Sequence, residues 1–147
     1  MKKLFLNAAN PINLSFGLLL IRVIIGVMMA FYGYEKLIHF DEMAASDFWA
    51  KNVSFLGMTG KIPLALTIFA EFFCSLLLIV GLLTRLALIP LIICMGYIVA
   101  VVGQFTIVET GEHGSQLNSG FLYLIIYFGL FFTGAGRYSL DAMISKR

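Results

Sequence analysis

The sequence predicts an all-α membrane protein, a transmembrane four-helix bundle built as one domain over residues 1–147, with an interfacial segment between helices 1 and 2. Three observations predict it. Four apolar runs, residues 14–34, 62–83, 86–108 and 117–135, lie near or above the roughly 20 residues that cross a hydrocarbon layer about 30 Å thick. Composition agrees: 61% of the residues are hydrophobic and 12% charged, against about 25% charged in a soluble domain, and the mean hydropathy is +0.97. Almost all the charges fall between the runs, and only Arg22 and Glu71 sit deep inside one.

The first run follows Met1-Lys2-Lys3, which resembles the start of a signal peptide, but it is long and lacks an A-x-A-like cleavage site. It is therefore read as a helix of the mature protein, with Arg22 inside it. In the connection 36–61, Phe40, Ala44, Phe48 and Trp49 share one side of a short helix over 41–51, leaving Asp41, Asp47 and Lys51 to water. That pattern predicts an interfacial helix anchored by Trp49. A lid over an outward-facing pocket is the alternative.

The second run opens with Pro63 in its first turn, where a missing N–H costs least. At its middle stands Glu71. A central charged residue costs about 2.5–3.5 kcal/mol on insertion scales, which makes an intramembrane acid a candidate functional group in need of a partner. A tight hairpin at Gly81-Leu82-Leu83-Thr84-Arg85 leads to the third run, whose start Pro90 shapes. Glu109 to Gln116 form a polar loop, in which His113 reads as solvated because no second ligand stands at metal spacing. Gly134 and Gly136 end the fourth run; Ser139 to Asp141 then cap or start a short helix, and Asp141 is expected to pair with Arg85 or Arg137.

Lys2, Lys3, Arg85, Arg137, Lys146 and Arg147 fall on one side of the membrane, and Lys36, Lys51 and Lys61 on the other. The positive-inside bias predicts cytoplasmic termini. Basic residues are scattered along the chain, so nucleic acid is not an expected partner. No metal-ligand cluster or nucleotide motif is present, and Cys74 and Cys94 lie in apolar runs without C-x-x-C spacing.

Counting about 1.5 Å per residue from the cytoplasmic ends puts Arg22, Glu71, Tyr97 and Tyr123 in one layer near the midplane. Gln104 and Asn118 fall at a second, outer polar level. At 100° per residue Arg22, Gly26, Met29, Gly33 and Lys36 share an arc of the first helix, Thr67, Glu71 and Ser75 an arc of the second, and Tyr97 and Gln104 a side of the third. Two readings follow. The layer is structural, with Glu71 paired to Arg22 or accepting tyrosine hydroxyls; or it is a ligand or proton site, in which Tyr123 and Tyr127 could flank a flat ring, although aromatics at helical spacing are more often core. Helical side chains lean toward the N-terminus, so Arg22 and Glu71 lean apart, and an Arg22 that snorkels would leave Glu71 hydrogen-bonded to Tyr97 or Tyr123. Cys74 and Cys94 fall at matching depth about Thr84, which makes a redox dithiol conceivable, although buried thiols in apolar surroundings are usually inert.

Arg22-x-x-x-Gly26, Gly33-x-x-Lys36-Leu37, Pro63, Glu71, Gly81-Leu82-Leu83-Thr84-Arg85 and Gly134-Ala135-Gly136-Arg137-Tyr138-Ser139-Leu140-Asp141 stand in an order and spacing that resemble the DoxX-like family of small four-span membrane proteins. The resemblance implies a four-helix membrane fold and an association with redox work, including quinone-linked sulfur oxidation and oxidative-stress complexes. Many members carry His near Gln104 and Glu near Asn118; their absence here puts proton-coupled chemistry at the outer level in doubt. The expectation is a non-catalytic or accessory subunit of a membrane redox system that binds a quinone or lipid-like molecule near Arg22, Glu71, Tyr97 and Tyr123, with Lys36, Arg85, Gln104, Asn118 and Asp141 as secondary polar positions and no catalytic residue assigned. Its surroundings are membrane lipids, with a redox partner or a second copy as possible associates. A structural or assembly factor and a small-solute transporter are the alternatives.

Overall fold

The computed structural model describes residues 13–111 and 114–146. Lys2, Lys3, Glu112, His113 and Arg147, used above in reading orientation and the outer loop, lie outside the described residues.

The first helix, α1 (Leu14–Ile38), begins where the Asn13 carboxamide accepts the Phe16 amide at 3.0 Å. Its buried residues, Leu18, Arg22, Gly26, Met29 and Gly33, recur every three to four positions and form the arc that helical geometry predicts. This stripe packs on α3 (Lys61–Val80). Gly33 permits the contact: a Cβ there would stand 2.5 Å from the Phe72 amide nitrogen. Gly26 does the same lower down, against Ile79 and the Ser75 carbonyl.

Between α1 and α3 the chain does not run as one helix over 41–51. A short α2 (Phe40–Ala45) stops at Ser46, whose backbone is extended, and a wide π-type turn, Phe48–Asn52, follows. Strands β1 (Ser54–Phe55) and β2 (Met58–Thr59) then close a small antiparallel hairpin. The apolar side expected of this segment is real: Ala44 packs with Leu64 and Ile68 of α3, and Phe40, Met43 and Trp49 pack around them. Asp41, Asp47 and Lys51 face water as expected, and Lys51 pairs with Asp47 at 2.9 Å.

Helix α3 contains a wide π-type turn, Phe69–Cys74, with Glu71 inside it. It ends at Gly81, which is left-handed at φ 71° and donates to the Leu77 carbonyl at 2.9 Å. Helix α4 (Thr84–Tyr97) runs on into a second wide turn, Ile98–Val102. Its helical path stops at Val102 rather than at 108, because Gln104 and Phe105 both take positive φ and strand β3 (Val108–Gly111) begins, paired antiparallel with β4 (Gly114–Leu117).

Helix α5 (Ser119–Thr133) starts at Asn118, whose side chain accepts the Phe121 amide, and ends at Gly134, φ 77°. Among the described residues three helices are long and apolar enough to cross a membrane, while α5, at 15 residues, is shorter than the expected run 117–135. Both ends are trimmed by residues that satisfy stray backbone groups rather than continue a helix. A terminal turn, α6 (Leu140–Ile144), is capped by the Ser139 hydroxyl. The core where α1, α3, α4 and α5 meet holds Leu18, Met29, Leu78, Leu88, Leu91, Met95, Tyr127 and Leu130. The whole is an all-α membrane bundle with two small hairpins at loop positions.

Candidate functional site

The buried acid finds a different partner from the one depth counting suggests. Glu71, 1% exposed, forms an ion pair with Lys36 from the last turn of α1. Gly33 brings the α1 backbone against Glu71 and Phe72, and one turn further on the Lys36 stem folds inward instead of toward the outer loops. The Lys36 side chain keeps 20% of its exposure, so this pair is half open on the lysine side and closed on the acid side. Cys94 of α4 completes the group, its Sγ standing 3.9 Å from Glu71 Oε1. Both cysteines are free thiols.

Arg22, also 1% exposed, does not meet Glu71. Its guanidinium donates to the Ala135 and Tyr138 carbonyls, each at 2.8 Å, in the segment after α5. The lean of a helical side chain toward its own N-terminus carries Arg22 to that end of the bundle, where backbone carbonyls left by a finished helix attract a cation. Arg22 thus turns away from Glu71 but does not snorkel, its guanidinium staying buried on backbone carbonyls, and Glu71 takes neither tyrosine as its partner.

The tyrosines separate too. The Tyr97 hydroxyl donates to the Ser54 carbonyl at 2.7 Å and accepts the Ser54 amide at 3.1 Å, and its ring stands edge-on to Phe55. Tyr97 therefore ties the β1–β2 hairpin to α4. Tyr123 packs on Tyr127 at 6.0 Å and meets Tyr32 edge-on at 6.5 Å, so these rings fill the core against each other rather than flank an open slot. Gln104, expected to share a helical side with Tyr97, is exposed in the turn beyond α4, and Asn118 is the buried cap of α5.

Asp141 is a capping residue. Its carboxylate accepts the Leu83 amide at 2.7 Å and the Thr84 amide at 2.9 Å, at the start of α4, while its own amide donates to the Gly81 carbonyl at 2.9 Å. No ion pair joins it to Arg85 or Arg137 among the described residues. Partial burial pulls its carboxyl up, but the Thr84 and Leu83 hydrogen bonds and the Arg22 charge outweigh that and hold it below the ordinary carboxylate range.

Around the Lys36–Glu71 pair the structure opens a cavity of about 420 Å³ between α3, α4 and the connection after α1. Phe48, Trp49, Val53 and Phe55 wall it from the connection, Thr67, Phe69 and Ala70 from α3, and Pro90, Cys94 and Tyr97 from α4. Among the described residues Lys36 is the one charged residue of the lining. A volume of this size falls in the range of small-molecule pockets, roughly 300–1,000 Å³. Of the four residues expected to form one layer, only Tyr97 lines this space. Lys36 was legible as the last member of the α1 arc, but its depth count assigned it to the outer loops. The wide turn around Glu71 has no sequence signal to find it by.

Comparison with known proteins adds the following. The DoxX family matches residues 17–104. An uncharacterized membrane protein, Rv3486, of Mycobacterium tuberculosis is 30% identical over 141 residues, covering 86% of this chain and 80% of that protein. No solved structure matches.

Proposed function

Starting from the fact that this chain belongs to the DoxX family and is a membrane protein, we propose that it binds a quinone or another lipid-like molecule in the cavity beside Lys36, as an accessory component of a membrane redox system. We place both termini in the cytoplasm, with the protein in a bacterial inner membrane.

The observation that carries the reading is the cavity itself, about 420 Å³ of mostly apolar and aromatic wall with Lys36 as the charged residue of its lining among the described residues. Such a site holds a hydrocarbon or ring body by apolar burial and fixes its orientation through one polar contact. The residues fit a quinone: Phe55, Tyr97 and Trp49 supply aromatic faces and edges, and Lys36 has N–H groups to spare for a carbonyl. A bound quinone would supply the redox chemistry, and this chain would position it and exclude water. Arg22, Tyr123 and Asp141 hold the bundle and its tail in place around that site.

Trp49 is the chain's single tryptophan and lines the cavity, so it reports occupancy directly. A short-chain quinone added to the protein in neutral detergent is expected to quench its fluorescence saturably. Ala70→Phe, which fills the cavity from α3, should abolish the saturable phase while the melting temperature shows that the protein remains folded. Linear quenching of equal slope in both proteins would remove the site.

A further inference from the structure

Resting on that cavity reading, we infer that the ligand is an uncharged amphiphile with a hydrogen-bond-accepting head, and that Glu71 sets this preference by cancelling the charge of Lys36. Lys36 faces the cavity, and Glu71, 1% exposed and outside the lining, is paired with it. Seen from the cavity, the pair is a hydrogen-bond donor with no net charge, whichever partner holds the shared proton. An ammonium has three donors and Glu71 takes one, leaving donors for a ketone, ester or ring carbonyl.

An anionic head would find no uncompensated cation and would exchange water for apolar wall, which is strongly unfavourable for an unpaired charge. A cationic head would meet Lys36 first. The tail has a way out. Leu66, Phe69 and Ile93 line the cavity and are also exposed on the outside of α3 and α4, where a membrane helix meets lipid. Head at Lys36 and chain between α3 and α4 is the orientation that follows. An acid in mid-membrane thus has a task other than proton transfer: it turns a basic pocket into a neutral one.

The test uses Trp49 quenching in neutral-detergent micelles by two probes, the methyl ester of dibrominated stearic acid and the matching dibrominated octadecyl sulfonate, each competed by its unbrominated form. Wild type should bind the ester about tenfold or more tightly than the sulfonate, because only the latter brings an unpaired charge. Glu71→Gln, which frees the Lys36 charge, should narrow that ratio to about one or invert it. Equal or tighter sulfonate binding by wild type overturns the inference while leaving an occupied cavity, and an unchanged ratio in Glu71→Gln overturns the role of Glu71. If neither probe is competed, the cavity reading fails and this inference with it. Should Glu71→Gln not fold, the double variant Lys36→Gln with Glu71→Gln, neutral by construction, must keep the ester preference; a sulfonate preference there would equally overturn it.

Discussion

At the scale of single residues, the two buried charges among the described residues are held by opposite means. Arg22 donates two guanidinium N–H groups to carbonyls of the closing segment, its Nε left without a protein partner, and Glu71 meets a lysine, so each offsets part of the cost of burial without requiring the other. The consequence is an asymmetry open to measurement. Lys36→Ala leaves Glu71 buried without its cation, and breaking one side of such a pair costs about 3–5 kcal/mol. Melting in detergent should show a large fall for Lys36→Ala and recovery of most of it when Glu71→Leu is added. A double variant as unstable as the single one would show that Glu71 has a structural task apart from Lys36.

At the scale of elements, glycine contacts and wide turns decide which side chains meet. Gly33 fixes how near α1 comes to α3, and the π-type turn Phe69–Cys74 sets where Glu71 points; such turns often occur at functional sites. The start of α4 is fixed from afar, by the Asp141 carboxylate placed on the Leu83 and Thr84 amides, a negative group at the positive end of a helix. Asp141→Asn keeps one acceptor for these amides but loses the charge and the second acceptor, so it should destabilise the hairpin by about 0.5–1.5 kcal/mol. The pH dependence has a definite sign. Because the folded carboxyl is held below its unfolded value of 3.8, its contribution is complete above that value and is lost as the pH falls through the folded one. The melting difference between wild type and Asp141→Asn should be constant from about pH 7 to about pH 5 and shrink only below about pH 4. A difference that fades near neutrality would assign the effect to another group.

At the scale of the whole molecule, three long apolar helices and one short one form a bundle with two faces of different character. One end carries the Arg22–Ala135–Tyr138 and Asp141–Leu83–Thr84 contacts, the other the hairpin tied down by Tyr97. The proposed orientation makes the first end cytoplasmic, which impermeant thiol labelling can check. Asp47→Cys should react in intact cells with a permeable outer envelope, and Lys146→Cys only after the inner membrane is breached. The reverse pattern would turn the protein over.

The class of the protein is legible in the chain before folding, because hydropathy and helical periodicity are local. Runs of about 20 apolar residues declare membrane helices one at a time, and the arc Arg22–Gly26–Met29–Gly33–Lys36 announces the inward side of α1 without knowledge of a neighbour. The cap at Ser139 follows from short-range chemistry of the same kind, whereas Asn118, expected as a polar position inside the fourth run, caps α5 instead. Which charge meets which is a property of the packed bundle. Depth counting assumes straight helices of uniform rise, and two wide turns break that assumption in α3 and α4. Side-chain reach does the rest: Arg22 extends toward one end of α1 and Lys36 folds in from the other, so the residue assigned to the outer loops becomes the partner of the buried acid. Ion pairing depends on separations of a few ångströms set by several helices at once, and no single stretch of chain contains that information.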